Sequence, residues 1–254
     1  MRILLTNDDG VNASGLKVLE RIARRFSDDI WIVAPTEEQS GAGHSLTLTR
    51  PVRLRKLGER RYCVTGTPTD AVMMAVAHLM KDCPPDLVLS GVNRGANLGE
   101  DVTYSGTVSA AMEGAMAGFP AIALSQAYAK EGMGDTVPFA AAEAWAERVL
   151  APLIEGGIPR HTLVNINFPA LPADAVKGVR VAPQGRHDYA RLRIIPRTDP
   201  RGYDYFWFGL APMVETPGHM TDLEVVADGY VAVTPLHFDL THEASLARLT
   251  ELYR

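Results

Sequence analysis

The chain has 254 residues, of which 46% are hydrophobic and 22% charged, with a formal net charge of −5. That length suits one large α/β domain, or one domain with a smaller appendage. The acidic balance argues against a sequence-independent grip on duplex nucleic acid, which needs a basic face. No apolar run reaches about 18 residues and the N-terminus reads as a strand, so neither a membrane span nor a secretory signal is expected. Cys63 and Cys83 then fit buried thiols in a reducing cytoplasm.

From the N-terminus to about residue 125, strands and helices alternate, as in parallel βαβ units. Residues 3–6 form the first strand and run into Asn7-Asp8-Asp9-Gly10. Residues 13–26 are helical, with Leu16, Leu19, Ile22, Ala23 and Phe26 on one stripe. A second strand over 30–34 stops at Pro35, and residues 52–56 and 61–65 alternate around Gly58 as a hairpin. Thr67-Pro68-Thr69-Asp70 is a helix start, with a cap, a proline at the first position and an acid three residues on. That helix runs to about Met80, and its Met73-Met74 pair is assigned to the core. A buried strand follows at 87–90, a helix at 109–117 closed by Gly118, a strand at 121–125, a helix at 139–153 and a strand at 163–168.

The pattern changes after Pro169. Residues 170–222 are rich in Pro, Gly, Arg and aromatics, with short β-like pieces at 179–182 and 205–208. The stretch 183–222 is too long for an ordinary loop and is expected to protrude as a hairpin or arm. Residues 223–254 form a C-terminal segment, with a late strand at 228–234 and a closing helix at 243–253. Arg186, Arg191, Arg193, Arg197 and Arg201, interleaved with Asp188 and Asp199, read as a solvated or subunit-facing surface.

The chemistry gathers at strand ends. Successive side chains on a strand point to opposite faces, so Asp8 and Asp9 can converge only where the strand has ended and Gly10 lets the backbone turn. Two convergent carboxylates repel unless a cation or proton lies between them, which points to a hard divalent metal. Ser40, in the segment 36–45 after the second strand, and Asn93, in Ser-Gly-Val-Asn-Arg-Gly-Ala-Asn-Leu-Gly over 90–99, offer neutral oxygens. An all-oxygen set suits Mg²⁺ or Mn²⁺, whereas zinc recruits His or Cys. Gly91, Gly95 and Gly99 let N–H groups face an anion. Ser105-Gly106-Thr107 opens a helix and can seat a phosphate, or can be an ordinary N-cap. His44, beside Ser40, is a weaker candidate for substrate contact.

Together, ILLTNDDG at 3–10, SGAGHSLT at 40–47, GTPTDAV at 66–72, SGVNRGANLGEDVTYSGTVSAAMEG at 90–114 and TDLEVVADGYVAVTPL at 221–236 resemble the stationary-phase survival protein SurE family. The resemblance spans nearly the whole chain in the right order. It implies a single α/β domain over 1–254, with a Rossmann-like three-layer sandwich, a mostly parallel sheet, and a C-terminal β-hairpin arm at 183–222 exchanged between subunits of a homodimer or homotetramer. It also implies a metal-dependent nucleotidase acting on nucleoside 5′-monophosphates, with 3′ esters and short polyphosphate left open. One Mg²⁺ or Mn²⁺ ion per subunit would be held by Asp8, Asp9, Ser40 and Asn93. Asn97, with Ser105, Gly106 and Thr107, would line the phosphate pocket, and Asp8 or Asp9 would act as the base. A haloacid-dehalogenase phosphatase would need a spaced DxD motif rather than adjacent acids. A receiver domain would need a phosphoacceptor aspartate at a later strand end, and this chain is about twice too long for one.

Overall fold

The computed structural model describes residues 1–128, 139–186, 192–210 and 220–254. In chain order the elements are β1 (Arg2–Thr6), α1 (Ser14–Ala23), β2 (Asp29–Pro35), β3 (Leu54–Gly58), β4 (Arg61–Val64), α2 (Pro68–Met74) and β5 (Leu87–Arg94). Next come α3 (Gly106–Met116), β6 (Ala121–Gln126), α4 (Ala140–Gly156), β7 (Thr162–Phe168), β8 (Val179–Val181), β9 (Leu192–Thr198), β10 (Asp204–Leu210), α5 (Asp222–Ala227), β11 (Val231–His237) and α6 (Glu243–Leu252).

The apolar runs become strands because both of their faces are covered. Ile3 and Leu5 of β1 pack with Leu16, Leu19 and Ile22 of α1 and with Ala142, Ala146 and Leu150 of α4. Leu4 points the other way, towards Ala71 and Val72 of α2 and Val108, Ala111 and Ala115 of α3. β5 repeats the alternation, with Leu87 and Leu89 on the first face and Val88 on the second. Two helical layers therefore enclose the sheet, as parallel strands require.

Among the described residues the main sheet has the order β3-β4-β2-β1-β5-β6-β7-β11-β8. Its centre, from β4 to β7, is parallel, while β3 and β11 run antiparallel to their neighbours β4 and β7. The chain winds outward from β1 through β2 and β4, then returns to β5 and winds the other way. This mostly parallel, Rossmann-like core has its reversal between β1 and β5, and ligands of open α/β sheets bind outside the carboxyl ends at such a reversal.

Several elements differ from the sequence expectation. The helix expected to Met80 is α-helical to Met74 and continues as a π-helical turn over Ala75–Leu79. Met73 is 38% exposed and not a core residue. β5 continues past Ser90 to Arg94, with its register against β6 shifting between Ser90 and Asn93. The strand expected at 228–234 lies at Val231–His237, because Thr221 and Glu224 form a capping box that starts α5 and Asp228 closes it. β9 was not foreseen. It pairs antiparallel with β10 from Leu192↔Leu210 to Thr198↔Asp204, leaving Ile194, Phe206, Trp207 and Phe208 more than half exposed. The rest of the expected arm, 187–191 with Asp188 and Arg191, and 211–219, lies outside the described residues. No described helix is long and apolar enough to cross a membrane.

Candidate functional site

The turn after β1 is closed by its own residues. Asn7 Nδ2 donates to the Gly10 carbonyl at 3.0 Å, Gly10 takes a φ of 97°, and the Val11 N–H bonds to the Pro35 carbonyl at 2.8 Å. This bend delivers both acids to the rim of the sheet. Asp8 is buried, and its Oδ1 accepts a hydrogen bond from the Thr107 hydroxyl. Asp9 Oδ2 accepts the Arg94 N–H at 3.2 Å. The N-terminus of α3 closes on Asp8 so tightly that a Cβ at Gly106 would lie 2.7 Å from Asp8 Cβ.

Burial pushes the Asp8 carboxyl up, against the pull of the Thr107 hydrogen bonds. Burial and then the Asp8 charge raise Asp9 to about 6, with the Arg94 N–H and guanidinium acting the other way. Glu38 adds negative charge to both, and it is a site residue that the sequence reading passed over. A buried carboxylate pair that resists ionisation needs a counter-charge.

The remaining residues come from the strand ends. The Gln39 N–H donates to the Asp8 carbonyl at 2.8 Å and brings in the segment carrying Ser40. The Ser40 hydroxyl is turned onto Glu38 Oε1 at 2.8 Å, and Arg94 reaches the same oxygen at 3.4 Å. Asn93 Nδ2 donates to the Gly95 carbonyl at 2.9 Å, which leaves Oδ1 as the oxygen that could meet a cation. Gly91, Gly95 and Gly99 all have positive φ, but the Gly95 N–H goes to the Gln126 carbonyl at 3.0 Å and the Gly99 N–H to Asp222 Oδ2 at 3.0 Å, so neither is left to face an anion as expected. Among the described residues no three His, Cys, Asp or Glu side chains cluster as a metal cage. The set is two carboxylates with neutral oxygens, and that hard donor set fits Mg²⁺ or Mn²⁺.

The phosphate-side residues are more committed than the sequence suggested. The Asn97 N–H bonds to Asn167 Oδ1 at 2.8 Å and its Nδ2 to Ser125 Oγ at 2.8 Å. Its carbonyl accepts from Asn165 and Asn167, so one side-chain N–H remains to face a ligand. Ser105 is the N-cap of α3, accepting the Val108 N–H at 3.0 Å, and its own proton is left to donate. Both the hydroxyl and the N–H of Thr107 serve Asp8, so what this turn still offers an anion is the Gly106 N–H at the helix start. His44 is held on α3 by Glu113, 3.0 Å from Nε2.

The segment that follows Ser40 is fastened by Asp70. Its Oδ1 accepts the Thr47 N–H at 3.0 Å, while Oδ2 takes the Thr47 hydroxyl at 2.6 Å and the Thr67 N–H at 2.8 Å. Burial works to raise this carboxyl, but the hydrogen bonds from Thr47 and Thr67 outweigh it and hold it below the usual value.

The raised Asp9 carboxyl makes stability depend on pH. Its folded value of about 6 lies above the ordinary 3.8, so between them the folded chain binds the extra proton and stability falls as pH rises. In metal-free protein, Asp9→Asn should therefore melt higher than the parent at about pH 8, with the gain fading towards about pH 4. Thermal unfolding in chelator measures this, and equal melting at both pH values would contradict it.

A family model described as Survival protein SurE matches residues 3–191. A protein named 5′-nucleotidase SurE from Rhizorhabdus wittichii is 66% identical over 254 residues, covering 100% of both chains. A protein of the same name from Erythrobacter litoralis is 57% identical over 253 residues, again covering 100% of both. The crystal structure of the SurE protein from Aquifex aeolicus superposes with a TM-score of 0.84 at 37% identity, covering 100% of each chain. With its paired acids at the β1–β5 reversal and a family match across most of its length, the chain belongs to the SurE family.

Proposed function

We propose that this chain hydrolyses nucleoside 5′-monophosphates to nucleoside and phosphate with the help of one divalent cation. The observation that carries the reading is the pair Asp8 and Asp9, both pushed up by burial and repulsion, with Asp8 packed on the N-terminus of α3. One element of the site wants a cation and the neighbouring one wants an anion. Full-length relatives named 5′-nucleotidase support the choice of substrate.

Asp8, Asp9, Ser40 and Asn93 would hold the ion, which when bound supplies Lewis acidity and counter-charge for the phosphoryl group and activates water. Ser40 donates its proton to Glu38, so its oxygen lone pairs would be the atoms offered to the ion. The Gly106 N–H, the Ser105 hydroxyl and the remaining Asn97 N–H would orient the phosphate oxygens. Water attacks phosphorus, the bond to the nucleoside oxygen breaks, and a carboxylate that accepts the water proton passes it on to the departing nucleoside oxygen. Asp9 is better suited to that role, because Asp8 is more deeply buried and already takes the Thr107 hydroxyl. Single-domain organisation over 1–254, a cytoplasmic setting, and a dimer or tetramer assembled through 183–222 belong to the same reading. The exposed Phe206, Trp207 and Phe208 support that assembly.

The test is phosphate release from AMP and GMP with Mn²⁺, with Mg²⁺ and in chelator. Turnover that requires a cation is expected. Equal release in chelator would remove the metal from the reading, and no release under any condition would remove the nucleotidase.

A further inference from the structure

The loop carrying Asn93 and Asn97 is fastened at its far end by a carboxylate from much later in the chain. Asp222 is fully buried. Its Oδ2 accepts the Gly99 N–H at 3.0 Å and its Oδ1 the Gly185 N–H at 2.7 Å. Gln184 Nε2 donates to the Gly99 carbonyl at 2.9 Å, so both main-chain groups of Gly99 are gripped by this one cluster. The Asp222 N–H bonds back to the Pro183 carbonyl at 3.0 Å, which draws the two ends of the 183–222 segment together. The approach is close: a Cβ at Gly185 would lie 2.5 Å from Thr221 Oγ1 and 2.7 Å from Leu223 Cδ1. Leu98, beside Gly99, packs in one small cluster with Ala182 and Leu223.

Burying a carboxylate is costly unless N–H groups surround it, and bonds to a charged acceptor are about twice as strong as neutral ones. The helix does not need this charge for its cap, since Thr221 and Glu224 form the capping box of α5. The two Asp222 oxygens are instead aimed at two other segments. We propose that Asp222 is a positioning residue for the site: it fixes Gly99, and through it Asn97, against both ends of the 183–222 segment. Its catalytic consequence rests on the nucleotidase reading, while the mechanical link does not.

Asp222→Asn separates the two. The variant keeps the shape but turns an NH₂ group towards one of the two N–H donors, so one bond is lost. Amide exchange in 97–99 should quicken, with β1 unchanged. With AMP and Mn²⁺, kcat should fall about 10-fold at a nearly constant KM, because the loop orients oxygens in the transition state. Unchanged exchange, or faster exchange with unchanged kcat, would overturn the role. If Asp222→Asn does not fold, Gln184→Leu, which removes the Gly99 carbonyl bond and keeps the carboxylate, decides by the same two readings. If the parent protein releases no phosphate at all, the nucleotidase reading falls and the exchange data still decide whether the link exists.

Discussion

Asp8→Asn will remove nearly all phosphate release from AMP while leaving a folded protein. The substitution is close to isosteric, and the amide oxygen can still accept from Thr107. Because burial already opposes the charge on Asp8, neutralising it relieves strain on the fold and should hold or raise the melting temperature. Activity responds in the opposite direction. Losing even an outer partner of a metal ligand costs about 10–100-fold, so losing a ligand should exceed about 100-fold. Phosphate release with Mn²⁺ at saturating AMP is the measurement, and a rate within a few-fold of the parent would refute the assignment.

Gly15→Ala will be the most damaging single methyl group in the α1–β5 interface. A Cβ at Gly15 would stand 1.9 Å from the Val92 carbonyl oxygen, 3.1 Å from its carbon and 3.2 Å from Phe139 Cζ. The helix preference for alanine over glycine, about 1 kcal/mol, cannot offset a backbone collision that forces α1 away from β5. Overpacking of this kind costs about 1–3 kcal/mol or more, which for a chain of this size lowers Tm by roughly 2–12 °C. Val92 precedes Asn93, so the shift should also weaken turnover. Thermal unfolding measures the first effect and AMP hydrolysis the second, and an unchanged Tm would show that α1 can slide without loss.

The candidate site could be assembled from sequence because its residues sit at strand ends, where local pattern suffices. The run into Asp8 and Asp9, the capping signal at Thr67–Asp70 and the glycines of 90–99 each have a local physical cause, and the structure places them around the β1–β5 reversal. What escaped was long-range. Asn165 and Asn167 alternate with Ile166 and Phe168 in β7, and that period-two row of amides in a buried strand was a readable signal with no visible destination. Its destination is Asn97, about 70 positions earlier. Glu38 went unnoticed because a loop acid ordinarily faces solvent, and its influence on Asp8 and Asp9 exists only once the turn folds back. The helix α5 was missed although Thr221 and Glu224 spell a capping box, since the surrounding Pro- and Gly-rich stretch masked its short apolar run. β9 lacked clean alternation, and its pairing with β10 depends on a partner rather than on composition.

Asp70 ties two fates together. Its depressed carboxyl lends stability that is present above the ordinary value of 3.8 and is surrendered as acid protonates it. That single side chain both starts α2 and ties Thr47 to it. Strong acid therefore releases Thr47 and frays the first turn of α2 in one event.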